Sequence, residues 1–130
     1  LAGRTPVPGS ATYAASKAGL RSFTRSLADE LIGSGIKLAV VSPGPIDTGF
    51  IMTDVDAVSD ITFSQPISTA EEVGQAILDL CGNNQVEQSM PRVSGFLTTV
   101  MYLMPWLGRA VKPLLERKGA RVKAALKQKA

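Results

Sequence analysis

The chain has 130 residues and is 45% hydrophobic, enough for one modest core and too apolar for a disordered segment. With no His and a single Cys, Cys81, these residues exclude imidazole metal sites, His-based nucleophilic triads and an internal disulfide, so no metal is expected. The net charge of +3 is uneven: Leu1 to Gly108 carries six Lys/Arg against ten Asp/Glu, whereas residues 109–130 carry eight against one. The basic character therefore belongs to the tail.

Leu1-Ala2-Gly3-Arg4 has no targeting character, and the cysteine usage suits a reducing, cytoplasmic compartment. Gly3, Pro6, Pro8 and Gly9 make Leu1 to Ser10 a loop. A helix is expected next, capped by Ser10 or Thr12, running to about Ile32 and stopped by Gly33-Ser34-Gly35. Ala11, Leu20, Phe23, Leu27, Ala28 and Leu31 supply apolar surface. The small residues Ala14, Ala15, Ala18 and Gly19 would admit a second helix or a cofactor, although plain helix propensity also accounts for the alanines.

Tyr13 and Lys17 stand four residues apart in this helix, so they stack on one face. An ammonium beside a phenol favours the phenolate. The pair is thus a candidate acid–base site that passes a proton to or from a substrate oxygen. A surface helix carrying both by coincidence is the alternative, because Tyr-x-x-x-Lys alone arises often by chance.

Ile36 to Val41 fits a buried strand of a parallel sheet. Ser42-Pro43-Gly44-Pro45-Ile46-Asp47-Thr48-Gly49 follows, a rigid loop at the strand end where ligands sit in open α/β sheets; a simple strand terminator is the other reading. Gly49 to Ile67 lacks clear periodicity and is expected to be a lid with short helical pieces. Ser68-Thr69-Ala70-Glu71-Glu72 starts a helix with a capping box, paired as Ser68/Glu71 or Thr69/Glu72. Its apolar face is Val73, Ala76, Ile77 and Leu80, Gly82-Asn83-Asn84 ends it, and Cys81 is expected to be a small apolar filler. Val86 to Met90 is a weak strand candidate.

Val93 to Gly108 contains no charged residue and is strongly apolar, but Pro105 interrupts it and it is shorter than the roughly 18–20 residues of a membrane span. The basic, Ala-rich tail follows. Trp106 and Tyr102 beside a basic helix suit a peripheral membrane contact. The competing expectation is a C-terminal helix that covers a core or a partner subunit and then a solvated charged end. No recognition motif accompanies the basic run, so no nucleic-acid partner is expected.

In order and spacing, Gly9-Ser10-Ala11-Thr12-Tyr13-Ala14-Ala15-Ser16-Lys17-Ala18-Gly19, a helix, a Gly turn, a strand and Ser42-Pro43-Gly44-Pro45-Ile46-Asp47-Thr48 resemble the short-chain dehydrogenase/reductase family. The resemblance covers Leu1 to about Met90. It implies an α/β fold, a Rossmann-like doubly wound parallel sheet in three α/β/α layers, of which this chain holds the C-terminal half. Residues 1–92 would be half of a dinucleotide-binding domain and residues 93–130 an apolar segment with a basic helical tail.

The same resemblance implies an oxidoreductase that transfers a hydride between NAD or NADP and a carbonyl or alcohol substrate. Tyr13 would be the general acid or base, and Lys17 would lower its pKa and bind the nicotinamide ribose. Pro43, Gly44, Ile46 and Thr48 would line the nicotinamide, and the helix of Tyr13 would pair with its copy in a homodimer or homotetramer. A non-catalytic, membrane-associated scaffold and a related epimerase or dehydratase are the alternatives. Two features of the family's pattern do not occur in these residues: the catalytic Ser, which would stand immediately before Leu1, and the Gly-rich pyrophosphate loop. A longer protein is the expectation, with the 130 residues folding poorly alone.

Overall fold

A computed structural model describes residues 1–49 and 53–128. Phe50, Ile51 and Met52 of the expected lid, and Lys129 of the tail, lie outside the described residues.

The first helix, α1, spans Ala11–Glu30. Ser10 is its N-cap, yet its side chain makes no capping hydrogen bond; its carbonyl accepts from the Ala14 amide at 2.9 Å. Leu31 closes the helix, and Gly33 then takes φ +86°, a left-handed conformation that glycine adopts without steric cost. None of the residues of α1 is buried, and Leu20 and Phe23 are 56% and 63% exposed.

Strand β1, Val40–Pro43, pairs in parallel with β2, Glu87–Met90, with Val40 opposite Glu87 and Pro43 opposite Met90. These form a two-stranded sheet. The strand expected over Ile36 to Val41 thus starts and ends later. A ladder exists only where a partner backbone stands opposite, and Glu87–Met90 faces Val40–Pro43 alone.

Between the strands, a short 3-10 helix (Asp60–Ser64) and helix α2 (Ala70–Gly82) form. Of the two expected caps, Thr69/Glu72 is the one made: the Glu72 amide donates to Thr69 Oγ1 at 3.2 Å, and the Thr69 amide to Glu72 Oε2 at 3.0 Å. The buried stripe of α2 is Ala76 and Leu80, which with Phe63 make up the buried apolar core among the described residues. Cys81 is exposed and is not the filler expected, because it sits about 100° around the helix from Leu80.

Helix α3 (Arg92–Leu103) packs on β2, and helix α4 (Pro105–Lys127) packs on the 3-10 helix. Pro105 separates the two at the first turn of α4, where a missing amide hydrogen costs nothing. Gly119 is the buried residue of α4, and a Cβ there would overlap the Asp60 carbonyl. Lys123 Nζ donates to the carbonyl of Val58 at 2.7 Å and pairs with Asp60 at 3.1 Å, and Lys127 pairs with Asp56. This part of the tail is docked on the segment after β1, whereas Arg117, Lys118 and Arg121 face solvent. The charged end expected to be solvated is so in part, at Arg117, Lys118 and Arg121, while Lys123 is docked.

Candidate active site

Tyr13 and Lys17 lie on the first two turns of α1, where the Ala-rich run and the Gly-Pro loop before it fix the helix start. The Lys17 ammonium stands 5.4 Å from the centroid of the Tyr13 ring, within cation–π reach. Helical spacing alone brings the two together. Tyr13 is 44% exposed, and Lys17 makes no ion pair among the described residues.

The Pro43–Thr48 loop is held from one side. The Gly44 amide donates to the Met90 carbonyl at 2.8 Å, continuing the ladder past β1. A parallel bridge joins Ile46 to Ser68: the Asp47 amide donates to Ser68 at 2.8 Å, and the Ser68 amide to Pro45 at 2.9 Å. In a parallel bridge these flanking groups do the pairing, so the Ile46 amide is left pointing away. The Ile46 amide and the Thr48 hydroxyl donate to no group among the described residues. Gly44 allows the loop close to its neighbours, since a Cβ there would stand 3.2 Å from Gln65 Oε1 and 3.4 Å from the Met90 carbonyl. Gln65 Oε1 itself is buried without a hydrogen-bond partner.

Residues 1–4 touch both halves of the site. The Leu1 nitrogen donates to the Pro43 carbonyl. Gly3 lies against α1 at Lys17, where its Cβ position is 2.7 Å from the Lys17 carbonyl oxygen. Two clefts lie elsewhere. One of about 330 Å³ runs between Pro8–Ser10 and Asp56–Asp60 with Lys123 at its rim. Another of about 480 Å³ lies between Pro66–Ser68, α2 and Ser89–Arg92. Neither is lined by Tyr13 or Lys17.

Sequence reasoning missed one feature beside the site. Arg21, one turn after Lys17, forks onto Glu87 at 2.7 Å through both Nε and Nη2. This bond raises the Arg21 pKa. Burial pushes the Glu87 carboxyl up, but the hydrogen bonds from Arg21 and Arg4 outweigh it and hold it below its usual value. The four-residue series Tyr13, Lys17, Arg21, Arg25 was the available signal; its partner, Glu87, was not indicated by any local pattern.

Comparison with known proteins adds a second line. A family model described as short chain dehydrogenase matches residues 1–58. The chain is 34% identical over 100 residues to "Ketoacyl reductase HetN" of Nostoc sp., covering 72% of this chain and 35% of that protein. It is 37% identical over 82 residues to "Sulfoacetaldehyde reductase 2" of Chromohalobacter salexigens, covering 59% and 32%. It is 36% identical over 95 residues to "Carbonyl reductase family member 4" of Danio rerio, covering 72% and 40%. The chain therefore spans 32–40% of the length of these relatives. No solved structure matches it.

Proposed function

Because this chain belongs to the short-chain dehydrogenase/reductase family, we propose that the whole protein is an NAD(P)-dependent oxidoreductase acting on a carbonyl or alcohol carbon. The observation that carries this is the Tyr13–Lys17 pair, with the ammonium 5.4 Å from the phenol ring, inside the matched residues 1–58. Three relatives named as reductases support the same class.

Tyr13 holds the proton that a substrate oxygen acquires on reduction, or takes it up on oxidation. The phenolate left behind is stabilised by the adjacent Lys17 charge. Bound nicotinamide supplies or accepts the hydride. The residues present fit its nicotinamide end: the open Ile46 amide and Thr48 hydroxyl are donors suited to a carboxamide, and Lys17 has no competing ion pair among the described residues. Pro43 and Gly44 set the course of that loop, Gly44 by its bond to Met90.

The wider organisation follows from the same reading. Residues 1–92 form half of a three-layer α/β/α dinucleotide-binding domain, and residues 93–130 are an addition to it. The exposed face of α1, with Ala14, Ala15, Ala18, Leu20 and Phe23, meets a second copy of the protein. Phe96, Tyr102, Leu103 and Trp106 are 61–73% exposed and precede a segment of net charge +7, which suits an anionic lipid surface. Flotation with vesicles containing about a third phosphatidylserine, a surface of the anionic kind that attracts basic segments, checks that contact; a protein that stays with the soluble fraction contradicts it.

The function itself is tested with the whole protein, NADH or NADPH, and a panel of aldehydes and ketones, followed at the nicotinamide absorbance. Carbonyl-dependent cofactor oxidation is expected. Cofactor binding without turnover across the panel and in the reverse direction with alcohols would refute an oxidoreductase of this class.

A further inference from the structure

Three of the six basic residues upstream of residue 109 converge on one carboxylate. Arg21 Nε and Nη2 donate to Glu87 Oε1 and Oε2 at 2.7 Å each, a planar fork on a planar acceptor. Arg4 Nη1 donates to the same Oε1, Arg25 Nη1 stands 3.4 Å from Oε2, and the Ser42 hydroxyl donates to Oε1 at 3.3 Å. Glu87 opens β2, Ser42 is in β1, Arg21 and Arg25 are on α1, and Arg4 is in the loop before α1. Four segments thus meet at a side chain only 12% exposed. Arg4 reaches further, donating to Thr99 Oγ1 at 2.9 Å and to the Gly95 carbonyl at 3.2 Å on α3.

This knot is aligned with the acid–base pair. Tyr13, Lys17, Arg21 and Arg25 follow at four-residue intervals, so they form one slowly drifting stripe on α1. The Glu87 carboxylate grips the lower end of the stripe, and the upper end carries the phenol and the ammonium. The loop that Arg4 anchors presses Gly3 against the Lys17 carbonyl and reaches the Pro43 carbonyl of the neighbouring loop through Leu1. One carboxylate therefore sets the rotation of α1, the seat of residues 1–4 and, through β1, the end from which the Pro43–Thr48 loop leaves.

We propose that Glu87 is a positioning residue for the Tyr13–Lys17 pair, clamping α1 through Arg21 and the preceding loop through Arg4. The proposal rests on reading that pair as the acid–base site. A neutral side chain at this position leaves three guanidinium groups without their shared counter-charge, and their mutual repulsion moves Arg4 and its loop away from α1.

The test uses the whole protein labelled with ¹³C at the tyrosine ζ carbons, the Tyr13 signal being the one lost in Tyr13→Phe. In Glu87→Gln the Tyr13 signal is expected to shift as Lys17 leaves its place. Turnover should fall roughly tenfold, in keeping with a sub-ångström misplacement. Glu87→Asp, which keeps the charge, should recover part of both effects. Arg21→Lys keeps the helix charge without the fork, and it gives the same readout if Glu87→Gln does not fold. A lower melting temperature with the Tyr13 signal unmoved would make Glu87 mere cement and overturn the proposal. If instead Tyr13→Phe leaves turnover intact while Glu87→Gln still moves the Tyr13 signal, the acid–base reading fails and the clamp stands.

Discussion

Gly3→Ala is the substitution whose effect is most closely fixed by geometry. An added Cβ would stand 2.7 Å from the Lys17 carbonyl oxygen, 2.9 Å from the Lys17 carbonyl carbon and 3.3 Å from the Ala18 nitrogen. A carbon approaches a carbonyl oxygen comfortably at about 3.3 Å or more, so the loop and helix must part by about 0.6 Å. All three opposing atoms are helix backbone, and no side chain can swing aside. Nor can the loop retreat freely, because Leu1 is tied to Pro43 and Arg4 to Glu87. Forced overpacking of this kind costs about 1–3 kcal/mol. Since the strain enters at the turn bearing Lys17, turnover is expected to drop by roughly tenfold or more. Urea or thermal melts of the whole protein read the first quantity and steady-state kinetics the second. Gly74→Ala is the control: Gly74 lies within α2 with open space around its Cβ position, so the change should stabilise the helix by up to about 1 kcal/mol. If Gly3→Ala melts no lower than the unsubstituted protein and turns over normally, residues 1–4 do not sit against Lys17 and the site geometry described here is wrong.

Other expectations follow from the same contacts. Gly119→Ala places a methyl group into the Asp60 carbonyl; α4 should leave the 3-10 helix, read as earlier proteolysis after residue 120 in limited digestion and a loss of about 1–3 kcal/mol. Glu87→Gln should cost about 2–3 kcal/mol, below the ~3–5 for a fully buried pair, since Arg21 and Glu87 are 24% and 12% exposed. The Glu87 carboxyl is held below its usual 4.5, so its contribution is complete above about pH 4.5 and is lost as pH falls through the lower folded-state value. The gap in melting temperature between the unsubstituted protein and Glu87→Gln should therefore be constant from pH 5 to 7 and close below 4.5; a gap that widens on acidification contradicts the sign. The 130 residues expressed alone, with Leu20, Phe23, Phe96 and Trp106 all more than half exposed, should bind a hydrophobic dye and melt without cooperativity.

Local rules made much of this chain legible. Helix α1 is announced by a Gly-Pro loop, an alanine run and the Gly33-Ser34-Gly35 stop, and each of these acts within a few residues. The capping box at Thr69 was equally visible, though two overlapping pairs competed until the structure chose one. The Tyr13–Lys17 pair could be read because helical spacing alone makes them neighbours. What could not be read depends on distant partners. The ends of β1 are set by Glu87–Met90, more than 40 residues away, and β-branched composition carries no information about register. Gly119 looks like a helix-weakening residue until the Asp60 carbonyl is found against it. Glu87 was unremarkable in sequence because its four partners are drawn from positions 4, 21, 25 and 42. Cys81 was misjudged because one residue's step around a helix exchanges a buried position for an exposed one.

The assignment of Tyr13 as the proton donor is tested most directly by Tyr13→Phe in the whole protein, with cofactor affinity and turnover measured side by side. Loss of one phenolic oxygen should lower turnover by about 10²–10⁴-fold, the usual worth of a positioned acid, while the dissociation constant for NADH or NADPH stays the same. Turnover that survives the substitution would contradict the account, whatever happens to cofactor binding.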